Sequence, residues 1–192
     1  MVRYNKTHHG QTHQAIVLAA STLLREKGFT ETSVTTVMKA VGLTHGGFYA
    51  HFEDKSAMLS AAVQEAFVES PQNFKVMADM AKSQNDAGLI AQYYLTESRV
   101  QNVASGCPAA ALVSELPRQD ESVRDAFQSG TIATLEALKK TPGLSNDSWA
   151  ALSMLVGGLV LMRALPDQDT NAIIRNQIIS ALRMLANTDK IT

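Results

Sequence analysis

The sequence predicts an all-α protein of about nine helices, and three observations carry that expectation. Apolar residues recur at helical spacing along most of the chain, and no strand-like alternation persists. Proline is scarce, five in 192 residues, so little interrupts backbone hydrogen bonding. The stretch from Thr32 to Lys55 is punctuated by glycine and capping residues, the pattern of two short helices joined by a tight turn. A hydrophobic share of 45% against 18% charged residues suits a packed chain rather than a disordered one.

The first ten residues are polar and read as an arm. A first helix follows from about Thr12 to Lys27, with Ile16, Ala19, Ala20, Leu23 and Leu24 inward and Gly28 as its stop. Ser33 can cap a second helix whose Val34, Val37, Met38 and Val41 share one apolar face. Gly42 supplies the permissive backbone of a helix C-terminus, and Leu43 is expected to re-enter the core. Thr44 is placed to cap a third helix, with Phe48 and Phe52 inward. Behind Asp54, a longer helix carrying Met58, Leu59, Ala62, Val63 and Phe67 should end at Pro71. Further helices are expected near 72–83, 86–98, 108–116, 120–140, 147–164 and 170–187, with caps at Asp86, Asp120, Asp147 and Asp169 or Thr170. The chain thus divides into an N-terminal unit, residues 1–55, and a larger helical bundle, residues 56–192.

Two short helices, a turn of this length and a polar start to the second make a helix-turn-helix, a unit that sets its second helix into the DNA major groove. Thr44, His45, Gly46 and Gly47 form the first turn of that second helix. Backbone N–H groups there lack helical partners and the dipole is positive, so contacts to phosphate or base edges come readily. Adjacent glycines cost about 1 kcal/mol each in a helix, a cost that fits close approach of backbone to a ligand. His45 is the candidate for a base edge and Thr44 for phosphate or a thymine methyl. Tyr49, His51 and Lys55 are candidate phosphate anchors, and Thr35 and Thr36 offer hydroxyls from the preceding helix. If His45 and His51 faced phosphate they would gain protons on binding, which predicts tighter DNA binding below neutral pH. Arg3 and Lys6 are candidate arm contacts to the minor groove or backbone.

The run T-x-x-x-V-M-x-x-V-G-L-T-H-G-G-F-Y-x-H-F-x-D-K resembles the DNA-binding motif of the TetR/AcrR-type one-component transcriptional regulators. The resemblance covers about residues 10 to 60. It implies that Thr44, His45, Tyr49, His51 and Lys55 sit where that family contacts DNA. It also implies a dimer on a near-palindromic operator, a small-molecule effector in the C-terminal bundle, and repression relieved by that effector. Two features depart from the pattern: histidine stands at 45, often Ser or Lys, and Glu53-Asp54 puts negative charge beside Lys55.

Charge agrees weakly. Residues 1–59 hold six Lys/Arg against four acids and all five histidines, whereas the whole chain is at -1. A single cysteine, Cys107, excludes an intramolecular disulfide framework and suits a reducing cytoplasm. The apolar run from Trp149 to Leu165 is interrupted by Arg163 and reads as a buried helix, not a membrane span. Arg3 and Lys6 ahead of Ala15–Ala20 imitate a signal peptide only loosely. His8-His9 has no Cys or carboxylate at ligand spacing, so no metal is expected, and no cofactor either.

The second unit contains no histidine, no phosphate-cradling glycine loop and neither G-x-S-x-G nor H-E-x-x-H, which argues against an enzyme. Its aromatic and methionine content suggests an effector pocket, with Phe67, Phe74, Met77, Tyr93, Tyr94, Phe127 and Trp149 as candidate lining. Gly157 and Gly158, inside an uncharged stretch, would let helices cross closely, so the last two helices are the expected homodimer interface. Cys107 ahead of Pro108 is a candidate redox site, since a helix N-terminus lowers a thiol pKa. The alternatives are therefore a thiol-based redox-sensing repressor, or a helical ligand-binding protein or enzyme in which the helix-turn-helix is incidental.

Overall fold

The computed structural model describes residues 2–188, with side chains from 8 to 187. Ten α-helices and two short 3-10 helices make up the described residues, which contain no strand. The all-α expectation holds.

Helix α1 spans Val2–Glu31 with a non-helical break at Gly28, where the chain was expected to stop. The helix begins earlier than expected: the backbone is helical from Val2 onward and not from about Thr12, as no proline between them breaks the hydrogen-bond ladder. Thr12 does not begin the helix but sits inside it, donating its hydroxyl to the His8 carbonyl at 2.9 Å. The side chains of Arg3 and Lys6 lie outside the described residues.

Ser33 caps α2 (Val34–Ala40), its Oγ accepting from the Thr36 N–H at 3.1 Å. Gly42, at φ 71, lets the Leu43 N–H turn back to the Met38 carbonyl at 2.9 Å. The third helix is a six-residue 3-10 helix, His45–Ala50, instead of an α-helix. Two adjacent glycines favour no α-ladder, and Thr44 closes the first turn through its carbonyl rather than a side-chain cap. Asp54 then caps α3 (Lys55–Phe67) as expected, accepting from the Ala57 N–H at 2.8 Å.

Pro71 opens α4 (Ser70–Gln84) in place of ending α3, because proline is tolerated in a first turn. The helix expected over 86–98 is split into α5 (Gly88–Tyr94) and α6 (Glu97–Gln101), as Leu95 leaves the helical region to bury its side chain. After α7 (Pro108–Leu112) comes a 3-10 helix at Leu116–Arg118, then α8 (Glu121–Leu138), α9 (Ser148–Ala164) and α10 (Gln168–Thr188). Asp86 accepts from the Gly88 N–H at 2.9 Å, but Asp120 and Asp147 hold cap positions without a side-chain cap bond. Asp167, not Asp169 or Thr170, caps α10 by accepting from the Thr170 N–H at 2.8 Å.

Two apolar cores result. One joins α1, α2, the 3-10 helix and α3 through Ile16, Leu24, Val37, Phe48 and Met58, and runs on into Leu112, Leu116 and Val123. The other fills the bundle of α4, α5, α8, α9 and α10 around Tyr94, Leu138, Leu155 and Leu182. Helix α3 therefore shares its apolar side with the N-terminal unit while lying along α8, where the Ser60 hydroxyl donates to the Ser122 carbonyl at 3.1 Å. No described helix is long and apolar enough to cross a membrane.

Candidate nucleic-acid interface

The core dictates which side chains of the His45–Ala50 segment face outward. Phe48 and Phe52 are buried and stack with ring centroids 5.5 Å apart, fixing the segment on Met38 and Val37 beneath. Thr44, His45 and Gly46 are then exposed, and Gly47 is half-buried. Tyr49 is 65% exposed, its ring edge-on to Phe48 at 5.2 Å and to His45 at 6.0 Å. His45 and Tyr49 thus form one projecting aromatic pair on a rigid apolar base. Thr35 faces solvent on α2, whereas Thr36 bonds inward to Ser33 at 2.8 Å.

Lys55 begins α3, exposed, with its ammonium donating to the Phe29 carbonyl at 3.4 Å. Of the neighbouring acids, Asp54 is committed to capping α3 and Glu53 is exposed.

His51 is placed differently from the others. It is half-buried against α1, its ring 4.3 Å from His9 and 6.1 Å from His13. The His9 ring in turn contacts the Ala50 carbonyl at 3.0 Å, and His13 stacks on Phe52 at 4.6 Å. Burial, reinforced by His9 and His13, pushes the His51 imidazole below its ordinary value. Its Nδ1 is buried without a partner among the described residues. His51 is thus less open to phosphate than Tyr49 or Lys55, and a proton gained there would face two more histidines.

One exposed residue was missed. Leu43 was assigned to the core but is 38% exposed beside Thr44, because the left-handed turn at Gly42 swings it outward. The positive φ demanded by a glycine at a helix end was the signal that could have shown this.

The candidate pocket residues are not gathered in one place. Phe74 and Tyr94 pack with centroids 5.4 Å apart and line a cavity of about 220 Å³ together with Cys107. Phe127 and Trp149 line a broad apolar groove between α8 and α9 of about 860 Å³, where Trp149 is 58% exposed. Phe67 packs edge-on against Phe127 at 5.3 Å and is buried, as is Met77, while Tyr93 lies at the surface. Cys107 is a free, half-buried thiol ahead of the five-residue α7.

On α9 and α10, Leu161 and Ile173 are 53% and 56% exposed. Gly158 does not meet open space: a Cβ there would lie 2.3 Å from Ile178 Cδ1, so it serves the contact between α9 and α10 of the same chain. Gly157 faces outward with nothing near it. No group of three or more His, Cys, Asp or Glu among the described residues could hold a metal ion.

Comparison with known proteins bears on the same segment. The family model of bacterial regulatory proteins, tetR family, matches residues 16–62, from α1 through most of α3. The transcriptional repressor BepR of Brucella suis biovar 1 (strain 1330) is 32% identical over 65 residues, 34% of this chain and 31% of that protein. The transcriptional regulator AcrR of Shigella flexneri is 38% identical over 60 residues, 31% of this chain and 28% of that protein. The match spans less than a third of either relative's length. A TetR-family transcriptional regulator from Agrobacterium tumefaciens has the same fold, with a TM-score of 0.72 at 18% identity, over 90% of this chain and 98% of that one. Residues 16–62 therefore match the tetR family model, and the chain shares the fold of a TetR-family regulator.

Proposed function

We propose that the protein is a cytoplasmic DNA-binding repressor that sits as a homodimer on a near-palindromic operator and is released by a small-molecule effector. The observation that carries this reading is the exposed His45–Tyr49 pair, held on buried Phe48 and Phe52. A rigid probe with polar and aromatic edges, flanked by Thr44 and Lys55, suits insertion into a major groove with phosphate contacts on either side. The repressor BepR and the regulator AcrR support it through the matched segment alone. Dimerisation through α9 and α10 is supported by Leu161 and Ile173, whose exposed apolar surface a second copy would cover. Effector binding in the bundle would move α3, which belongs to the N-terminal core and lies along α8, and so change the spacing of the two recognition segments. The protein would have no enzymatic activity, and needs no cofactor or metal for this role.

A gel shift of the full-length protein with duplex DNA from upstream of its own coding sequence tests the reading. A retarded complex that dissociates as salt is raised supports it, since neutralised phosphates release counterions. Ligand binding or turnover with no salt-sensitive DNA affinity would instead favour a helical enzyme or carrier.

A further inference from the structure

We propose that Glu115 and Asp120, which lie outside the helix-turn-helix, are positioning residues for DNA binding: they hold α1 and the first turn of α3 in the orientation that lets His45 and Tyr49 reach a duplex. This deepens the DNA-binding reading and rests on it.

Among the described residues, every side-chain hydrogen bond that ties α1, α2, the 3-10 helix at His45–Ala50 or α3 to a later part of the chain ends between Gly106 and Ser122. The same stretch lends Leu112 and Leu116 to the N-terminal core. Apolar burial of that kind holds two bodies together without fixing their angle, whereas hydrogen bonds are directional. The orientation of the DNA-binding unit on the bundle is therefore set by a few polar groups on one segment.

Glu115 acts at the end of α1. Its half-buried carboxylate accepts from the Phe29 N–H at 3.3 Å, while the Phe29 carbonyl accepts from the Lys55 ammonium at 3.4 Å. Phe29 thus connects a carboxylate on the bundle side to the first residue of α3, close behind the recognition segment. An acid suits that place, because a charged acceptor makes the stronger bond to a backbone N–H.

Asp120 acts at the start of α3. It occupies the N-cap position of α8 but accepts no cap bond from that helix; its Oδ2 accepts instead from the Ser56 hydroxyl. One turn further on, the Ser60 hydroxyl donates to the Ser122 carbonyl at 3.1 Å. The other end of α3 needs no such tie, since a Cβ at Gly130 of α8 would stand only 2.3 Å from the Phe67 ring. Between its ends α3 rises about 18 Å, so an error of about 6° at Phe67 displaces the first turn by about 2 Å. Hydrogen bonds have a useful range only about 0.5 Å wide, so contacts to DNA are lost at that displacement.

Fluorescence-anisotropy titration of the full-length protein with a labelled duplex from upstream of its coding sequence, over a series of salt concentrations, tests the assignment. Glu115→Ala should weaken binding about tenfold and Asp120→Ala about threefold, with a shallower dependence of affinity on salt, because a misplaced segment contacts fewer phosphates. Glu115→Gln, whose amide oxygen still accepts from Phe29, should stay within about threefold of the parent. A substitution that only destabilised the fold would lower the melting temperature and the active fraction but leave the salt dependence as it was. Should Glu115→Ala not fold, Asp120→Ala, at an exposed position, carries the same test. Parent-like affinity in both alanine variants, a loss with unchanged salt dependence, or a Glu115→Gln protein as weak as Glu115→Ala would overturn the assignment. A parent that binds no duplex at any salt overturns the DNA-binding reading itself, an outcome distinct from the others because each of them requires a parent that binds.

Discussion

The backbone N–H of Phe29 donates to the Glu115 carboxylate at 3.3 Å, tying the end of α1 to the segment between α7 and the 3-10 helix at Leu116–Arg118. Gly28 makes this contact possible. Its φ of 75 lies where side chains other than glycine are strained, and a Cβ there would stand 2.4 Å from Glu115 Oε1. We therefore expect Gly28→Ala to cost about 1–3 kcal/mol of stability, read as a lower urea midpoint at unchanged slope.

His51 predicts an acid sensitivity of the fold. Its folded-state pKa is depressed, so as pH falls through about 6.5 the unfolded chain takes up the proton first. Stability is then lost until the folded-state value is passed, and it is restored as pH rises. Thermal melts between pH 8 and pH 5 should show this decline, and His51→Gln should flatten it.

Arg183 grips Asp86 through two hydrogen bonds, Nε to Oδ1 at 2.9 Å and Nη2 to Oδ2 at 2.7 Å. The Arg183 hydrogen bond, helped by the Gly88 N–H, holds the Asp86 carboxyl below its usual range. The pair is partly exposed, so solvent screens it and Asp86→Asn should cost no more than about 1 kcal/mol. That contribution is present above the ordinary carboxylate value of about 3.9 and lost as pH falls through the lower folded-state value. Denaturant titrations at pH 7 and in high salt measure it, with the difference between variant and parent shrinking as salt rises.

Leu43 stands in solvent next to Thr44, so it adds little to the core. Leu43→Ala should leave the melting temperature nearly unchanged while weakening DNA binding about tenfold, the effect of losing apolar contact with a groove wall or a thymine methyl. Paired melting and fluorescence-anisotropy titrations separate the two effects.

Most of the N-terminal unit was legible because its signals are local. Ser33, Gly42, Phe48, Phe52 and Asp54 each act through neighbours a few residues away, and each occupies the expected role. Long-range packing was not legible. The breaking of the 86–98 helix depends on Leu95 reaching the bundle core, and the orientation of His51 depends on His9 and His13, which lie on another helix. The pocket residues scattered for the same reason. Helical periodicity says that Phe127 and Trp149 face something apolar, but not that this is an open groove distant from Tyr94.

The central claim is that His45 and Tyr49 enter duplex DNA. Fluorescence-anisotropy titration of the parent, His45→Ala and Tyr49→Ala with one labelled upstream duplex at two salt concentrations addresses it directly. The account predicts that each substitution weakens binding about tenfold or more at constant melting temperature, and that the parent's affinity falls steeply with salt. Equal affinity in all three proteins would contradict it.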